Sequence, residues 1–123
     1  MRALVIDDSR TMRVVLRRIL QGCDFEVYEA GDGLEALDVL RDVGQADVAL
    51  IDYNMPRMNG LDFIRAVRRD GMYRGLCLMM VTSESEADKV AAALAAGAHE
   101  YVMKPFTSEI IIEKLGLLGL LTA

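Results

Sequence analysis

Two cysteines, two prolines and one histidine are all that this 123-residue chain carries of those types. Cys23 and Cys77 lie far apart and form no CxxC pair. No disulfide framework is legible, which suits a reducing cytosol. Cys77 sits inside an apolar run and reads as plain core. His99 precedes the last apolar run and reads as structural rather than catalytic. An excess of positive charge is also missing. The formal net charge is −5, against the basic surface that a general nucleic-acid binder needs. Asp7, Asp8 and Arg10 stand where a signal peptide would place its apolar segment. The apolar stretch Leu115 to Leu121 is too short to span a bilayer. Low-complexity sequence and Ser/Pro/Gly linkers are absent too. The expectation is one cytoplasmic domain without membrane insertion. Its 53% hydrophobic and 27% charged residues suit a globular fold.

What is present is alternation. Short apolar runs near 3–6, 25–29, 48–51, 76–81 and 100–103 are separated by longer amphipathic stretches. Four runs are almost wholly apolar, as parallel strands covered on both faces should be. Phe25 to Glu29 alternates instead, which suits an edge strand. Met12, Val15, Leu16, Ile19 and Leu20 form one stripe of a first helix, with Arg10, Arg13 and Arg17 on another face. Ala36, Leu37 and Leu40 mark a second helix, Phe63, Ile64 and Val67 a third, and Val90, Ala91 and Leu94 a fourth. Asp32-x-x-Glu35, Asn59-x-x-Asp62 and Ser83-x-x-Glu86 read as helix starts, as does Thr107 or Ser108 for the last helix. Gly22, Gly44, Gly71 and Gly97 read as the closing residues of the first four helices, roughly one βα unit apart. Five βα units predict an open parallel α/β sheet with helices on both faces. Ligands of such sheets bind beyond the carboxyl ends of the strands.

Five polar residues mark those ends: Asp7 and Asp8, Asp52, Thr82 and Lys104. Three clustered carboxylates repel one another, and a hard cation with oxygen ligands relieves the repulsion. Mg2+ fits, because it takes one or two carboxylates and leaves positions for water and phosphate oxygen. Asp52, alone at the end of the central run, reads as a nucleophile that forms an acyl phosphate. Lys104 supplies positive charge and Thr82 a hydroxyl for a phosphoryl oxygen. Pro105 fixes the backbone directly after Lys104, and an X–Pro bond can be cis. Taken singly, Asp7 or Asp8 reads as a helix-capping loop residue and Asp52 equally as a turn residue before Asn54-Met55-Pro56. Tyr101 alone reads equally as a half-buried aromatic on an edge strand. The matched positions of the whole set favour the site.

The segments Val5-Ile6-Asp7-Asp8-Ser9, Asp52-Tyr53-Asn54-Met55-Pro56 with Asn59-Gly60, Met80-Val81-Thr82-Ser83-Glu84 and Tyr101-Val102-Met103-Lys104-Pro105-Phe106 together resemble two-component response-regulator receiver domains. Within that family the likeness is greatest to the stand-alone chemotaxis regulators, which carry the Asn54 and Glu84 pair. The resemblance implies a flavodoxin-like (βα)5 fold, a doubly wound five-stranded parallel sheet of order 2-1-3-4-5, with residues 1–123 forming the receiver. It implies Asp52 as phosphoacceptor for a phosphohistidine of a sensor histidine kinase or phosphotransfer domain. Mg2+ would be held by Asp8, Asp52 and the Asn54 backbone carbonyl directly, and by Asp7 through water. Thr82 and Lys104 would hold the phosphoryl group, and Asn54 and Glu84 would tune its lifetime. Thr82 and Tyr101 would act as the switch, remodelling a face of the fourth helix, fifth strand and fifth helix for a downstream protein, the flagellar motor switch or another. The chain would then be no enzyme beyond its own phosphotransfer and autodephosphorylation. The first-helix arginines, Arg18 included, read either as a kinase-docking surface or as an ordinary solvated face.

The apolar tail departs from the chemotaxis pattern. Ile110-Ile111-Ile112 and Leu115 to Leu121 exceed what one stripe buries, and Gly116 and Gly119 weaken the helix by roughly 1 kcal/mol each relative to alanine. Exposed apolar surface, and with it a homodimer or hydrophobic partner, is the expectation. A phosphorelay shuttle or the excised receiver of a multidomain regulator is the alternative output. A small Mg2+-dependent phosphatase with an aspartyl nucleophile is the alternative of another class. It would place a second Asp where this chain has Asn54. A flavodoxin-like cofactor binder would need a phosphate-cradling loop where this chain has Asp7-Asp8.

Overall fold

Alternation of apolar and amphipathic segments resolves into a regular βα chain in the computed structural model, which describes residues 1–121. The strands are β1 (Arg2–Ile6), β2 (Glu26–Ala30), β3 (Val48–Ile51), β4 (Cys77–Ser83) and β5 (Glu100–Lys104). The helices are α1 (Arg10–Gly22), α2 (Gly33–Val43), α3 (Gly60–Arg69), α4 (Val90–Ala96) and α5 (Ser108–Leu117). Short 3-10 segments, Gly71–Tyr73 and Glu84–Lys89, precede β4 and α4 respectively. All strand pairs are parallel, in the order β2-β1-β3-β4-β5. This is the doubly wound flavodoxin-like architecture expected from the sequence, with the alternating strand at an edge.

Side chains of successive strand residues point to opposite faces, and the core divides accordingly. Leu4, Ile6, Ala49, Ile51, Leu78 and Met80 meet α2, α3 and α4 through Ala36, Leu40, Phe63, Ile64, Val67 and Ala93. Ala3, Val5, Val48, Leu50, Met79 and Val81 meet α1 and α5 through Leu16, Leu20, Ile111 and Leu115. Burying one such side chain contributes about 1.5–3 kcal/mol. Within the α1 stripe Val15 faces solvent instead, because the helix packs along Leu16 and Leu20.

Asp32, Asn59 and Thr107 cap their helices, accepting from the backbone N–H groups of Glu35, Asp62 and Ile110. Ser9 caps α1 in the same way. Ser83 does not: its hydroxyl binds side chains, and the 3-10 segment begins there. Gly44 and Gly97 close α2 and α4 with positive φ. Gly22 remains inside α1, and the left-handed residue is Asp24. α3 ends at Arg69, and Asp70 caps the 3-10 turn containing Gly71. Cys77 is half-buried at the start of β4 rather than deep in the core.

The tail is largely self-satisfied. Leu120 N donates to Leu115 O and Gly119 N to Gly116 O, while Gly119 adopts φ 74°. This is a Schellman ending, so Gly119 terminates α5 rather than weakening it. Leu118, Leu120 and Leu121 turn back onto the α1–α5 side of the core. Ile110, Ile112 and Leu117 stay exposed. No helix among the described residues is long and apolar enough to cross a membrane.

Candidate functional site

Asp7 and Asp52 begin just past β1 and β3, which are neighbours at the centre of the sheet. Their backbones remain tied to it: Asp7 N donates to Ala30 O and Asp52 N to Ile6 O. Thr82 and Lys104 lie within β4 and β5 rather than beyond them, since that ladder runs on to the Ser83–Lys104 pair. The parallel register therefore brings all five polar residues to one edge. Carboxylate oxygens of Asp7, Asp8 and Asp52 lie within 4.8 Å of one another. Asp7 and Asp52 are buried and Asp8 is exposed.

The Lys104 ammonium donates to Asp7 Oδ2 at 3.1 Å and stands 3.5 Å from Asp52 Oδ1. The Lys104–Pro105 bond is cis. Ser9 N donates to Asp7 Oδ1 at 2.9 Å. Both oxygens of Asp7 thus have partners, while Asp8 is exposed with a carboxylate oxygen beside them. Thr82 is fully buried, and among the described residues its hydroxyl reaches only the Ser83 carbonyl, 3.5 Å away. That hydroxyl retains capacity for an entering group.

Burial pushes Asp52 up to about 6, and the Asp7 carboxylate adds to the rise. Lys104 and its hydrogen bond pull the other way, and Glu86 pushes up again. For Lys104 burial works against the charge, but Asp52 and Asp7 more than offset it and the ammonium is held above its ordinary value. The result is a cation shared between two buried carboxylates that remain under mutual repulsion. Three hard oxygen donors this close fit a small divalent cation.

Around this centre, Gly60 lies beneath the loop after β3. A Cβ there would meet the Asp52 carbonyl oxygen and come within 3.1 Å of Tyr53 Cα. Arg13 Nη1 donates to the Asp7 carbonyl at 2.6 Å, and its Nε donates to Glu29. Arg17 also binds Glu29, so two of the basic α1 residues serve as internal ties; Arg10 and Arg18 are exposed. Asp32 pairs with Arg57 at 2.8 Å, joining the loop after β2 to the loop after β3. His99 Nδ1 accepts from Leu78 N, and burial and then Arg68 lower its pKa; its role is structural. Asn54 and Glu84 are exposed at the rim.

Tyr101 is 38% exposed on β5, with the Lys114 ammonium 5.6 Å from its ring centroid. Together with Ala87, Val90, Ala91, Leu94 and Met103 it lines a depression of about 480 Å³. Two residues near the site carry no distinctive signal in the sequence. By spacing, Arg13 falls on a polar helix face and Glu86 in a helix-start pattern. Nothing in local spacing distinguishes a Glu86 that caps a backbone from one that binds the Ser83 side chain.

A family model described as the response regulator receiver domain matches residues 3–116. The chain is 40% identical over 116 residues to chemotaxis protein CheY1 of Helicobacter pylori, covering 94% of each chain. Its fold is similar to the solved structure of Vibrio cholerae chemotaxis protein CheY4, with a TM-score of 0.86 and 34% identity, over 94% of this chain and 96% of that one. A solved two-component response regulator/GGDEF domain protein is also similar, with a TM-score of 0.89 and 28% identity. There the match covers 98% of this chain and 50% of the other.

Proposed function

The chain belongs to the response regulator receiver domain family, and on that premise we propose that residues 1–123 form one receiver that signals by accepting a phosphoryl group on Asp52. The donor is a phosphohistidine of a sensor histidine kinase or phosphotransfer domain. The observation that carries this reading is the Lys104 ammonium between Asp7 and Asp52.

An Asp52 carboxylate oxygen attacks phosphorus in line. The new O–P bond forms as the donor P–N bond breaks, and the imidazole nitrogen leaves with the bonding pair. Lys104 is within reach of both the nucleophile and a phosphoryl oxygen, and the free capacity of the Thr82 hydroxyl suits a second oxygen. The positioned charges do the work, as expected for phosphoryl transfer. Asp8, Asp52 and the Asn54 carbonyl would hold Mg2+, with Asp7 acting through water because its own oxygens are engaged. When bound, Mg2+ neutralises charge and orients the phosphoryl oxygens. Asn54 and Glu84, at the rim, tune access of water to the acyl phosphate.

Once phosphorylated, Thr82 and Tyr101 bias the α4–β5–α5 face toward a partner-binding arrangement. The exposed Leu94, Tyr101, Ile110 and Ile112 supply apolar contact. The downstream partner is a chemotaxis output protein such as the flagellar motor switch, and a second copy of the chain is the other occupant of that face. The extensive match to a chemotaxis protein favours this output. The GGDEF-containing neighbour favours the receiver of a multidomain regulator as the second reading.

The test is incubation with Mg2+ and acetyl phosphate, followed by intact mass measurement. One phosphoryl group, released by hydroxylamine and absent from Asp52→Asn, is expected. Incorporation that persists in Asp52→Asn would sink the reading.

A further inference from the structure

Glu86 lies in the 3-10 segment Glu84–Lys89, which spans the mouth of the phosphoryl site. At its start, Ser83 pairs across the ladder with Lys104. At its end, the Lys89 ammonium stands 5.8 Å from the ring centroid of Tyr53, the residue after Asp52. Six residues is long for a 3-10 run. Within it, the Ser83 hydroxyl donates to Glu86 Oε1 at 2.6 Å. Glu86 Oε2 is buried and has no hydrogen-bond partner among the described residues. No cation among those residues forms an ion pair with this carboxylate.

A carboxylate with one oxygen buried and unpaired is unfavourable in itself. Ser83 nevertheless holds the half-buried side chain in place, and its charge raises the pKa of Asp52. The site then carries Asp7, Asp8, Asp52 and Glu86 against one Lys104. A bound Mg2+ still leaves that set with an excess negative charge. An approaching phosphate dianion meets this excess before it meets Asp52.

Resting on the phosphoacceptor reading above, we propose that Glu86 is a donor-selecting residue: its inward carboxylate opposes free anionic phosphodonors, while a protein donor offsets the repulsion through its own docking contacts. Glu86 exchanges neither a proton nor an electron in the transfer. With acetyl phosphate, the Asp52 O–P bond forms, the donor P–O bond breaks, and acetate leaves with the bonding pair.

The experiment compares phosphorylation rates with saturating Mg2+ in the intact chain, Glu86→Gln, Glu86→Asp and Ser83→Ala. The donors are acetyl phosphate and the less negatively charged phosphoramidate. Glu86→Gln is expected to accelerate acetyl phosphate about fivefold, the equivalent of about 1 kcal/mol of charge repulsion. The gain should be smaller with phosphoramidate, and the dependence on ionic strength should flatten. Glu86→Asp keeps the charge and should gain little. Ser83→Ala frees the carboxylate to leave the site and should accelerate acetyl phosphate even if Glu86→Gln fails to fold. An unchanged or slower rate in Glu86→Gln, or equal gains with both donors, overturns the proposal. An unchanged rate in Ser83→Ala does the same. Label retained by Asp52→Asn would instead defeat the underlying reading, whatever Glu86 does.

Discussion

Lys104 holds Asp7 at 3.1 Å across ninety-seven residues of sequence, and the same ammonium stands 3.5 Å from Asp52. One cation therefore quiets two buried acids that would otherwise face each other. Replacing it with an isosteric apolar chain, Lys104→Met, leaves both carboxylates uncompensated. The expected loss is about 1–3 kcal/mol at pH 7, below the range for a fully buried pair because Lys104 is partly exposed. Thermal melting in chelator measures it. Mg2+ should restore more stability to the variant than it adds to the parent.

Asp52 gives a prediction of opposite sign. Its pKa in the fold is about 6 against an ordinary 3.8, so the folded state binds the proton more tightly than the unfolded chain does. Protonation favours the fold below about pH 4, and that benefit disappears as pH rises through about 6. At pH 7 the ionised group costs up to roughly 3 kcal/mol. Asp52→Asn should then stabilise the metal-free protein by about 1–3 kcal/mol at pH 7, with the gap closing toward pH 4. Urea unfolding across that range would expose the error if the variant proved weaker at neutral pH.

Mg2+ should raise the melting temperature, since a ligand bound only by the folded state adds about 2.7 kcal/mol at a hundred times its dissociation constant. Asp8→Asn removes the exposed member of the acidic cluster without touching the Lys104 pairs. It should abolish both the Mg2+-induced shift and the heat of Mg2+ binding in calorimetry. An undiminished shift would mean that the ion binds elsewhere.

Gly60→Ala tests the floor of the site. The added methyl would press on the Asp52 carbonyl and on Tyr53, backbone atoms that cannot rotate away. A loss of about 1–3 kcal/mol is expected from such overpacking, together with slower phosphorylation of Asp52. Normal kinetics in a fully stable variant would show that this loop yields freely.

The sheet and the acidic site were legible because both depend on local pattern. Apolar runs end in a polar residue, and parallel register carries those ends to one edge. Asp32, Asn59 and Thr107 were readable as caps for the same reason. Ser83-x-x-Glu86 has similar spacing, yet Ser83 donates to the Glu86 side chain. Spacing alone does not separate a backbone cap from this side-chain pair. Arg13 and Arg17 look like a solvated stripe until β2 supplies Glu29. The tail looked too apolar because its reversal at Gly119 lets leucines beyond the helix reach the core. In each case the missing information is which segment lies opposite, a matter of tertiary packing.

The strand order gives the site two mechanical halves. β1 and β3, which deliver Asp7, Asp8 and Asp52, are each paired on both sides. β5, which delivers Lys104 and Tyr101, is paired only with β4. The acids are thus held by ladders on both flanks, and the cation by a ladder on one. On the proposed phosphoacceptor reading, a charge added at Asp52 would act on Lys104, 3.5 Å away, from the doubly paired side of the site. The proposed readout residue Tyr101 lies on that same outer strand, so the singly paired side of the sheet carries both the cation of the site and the proposed partner face.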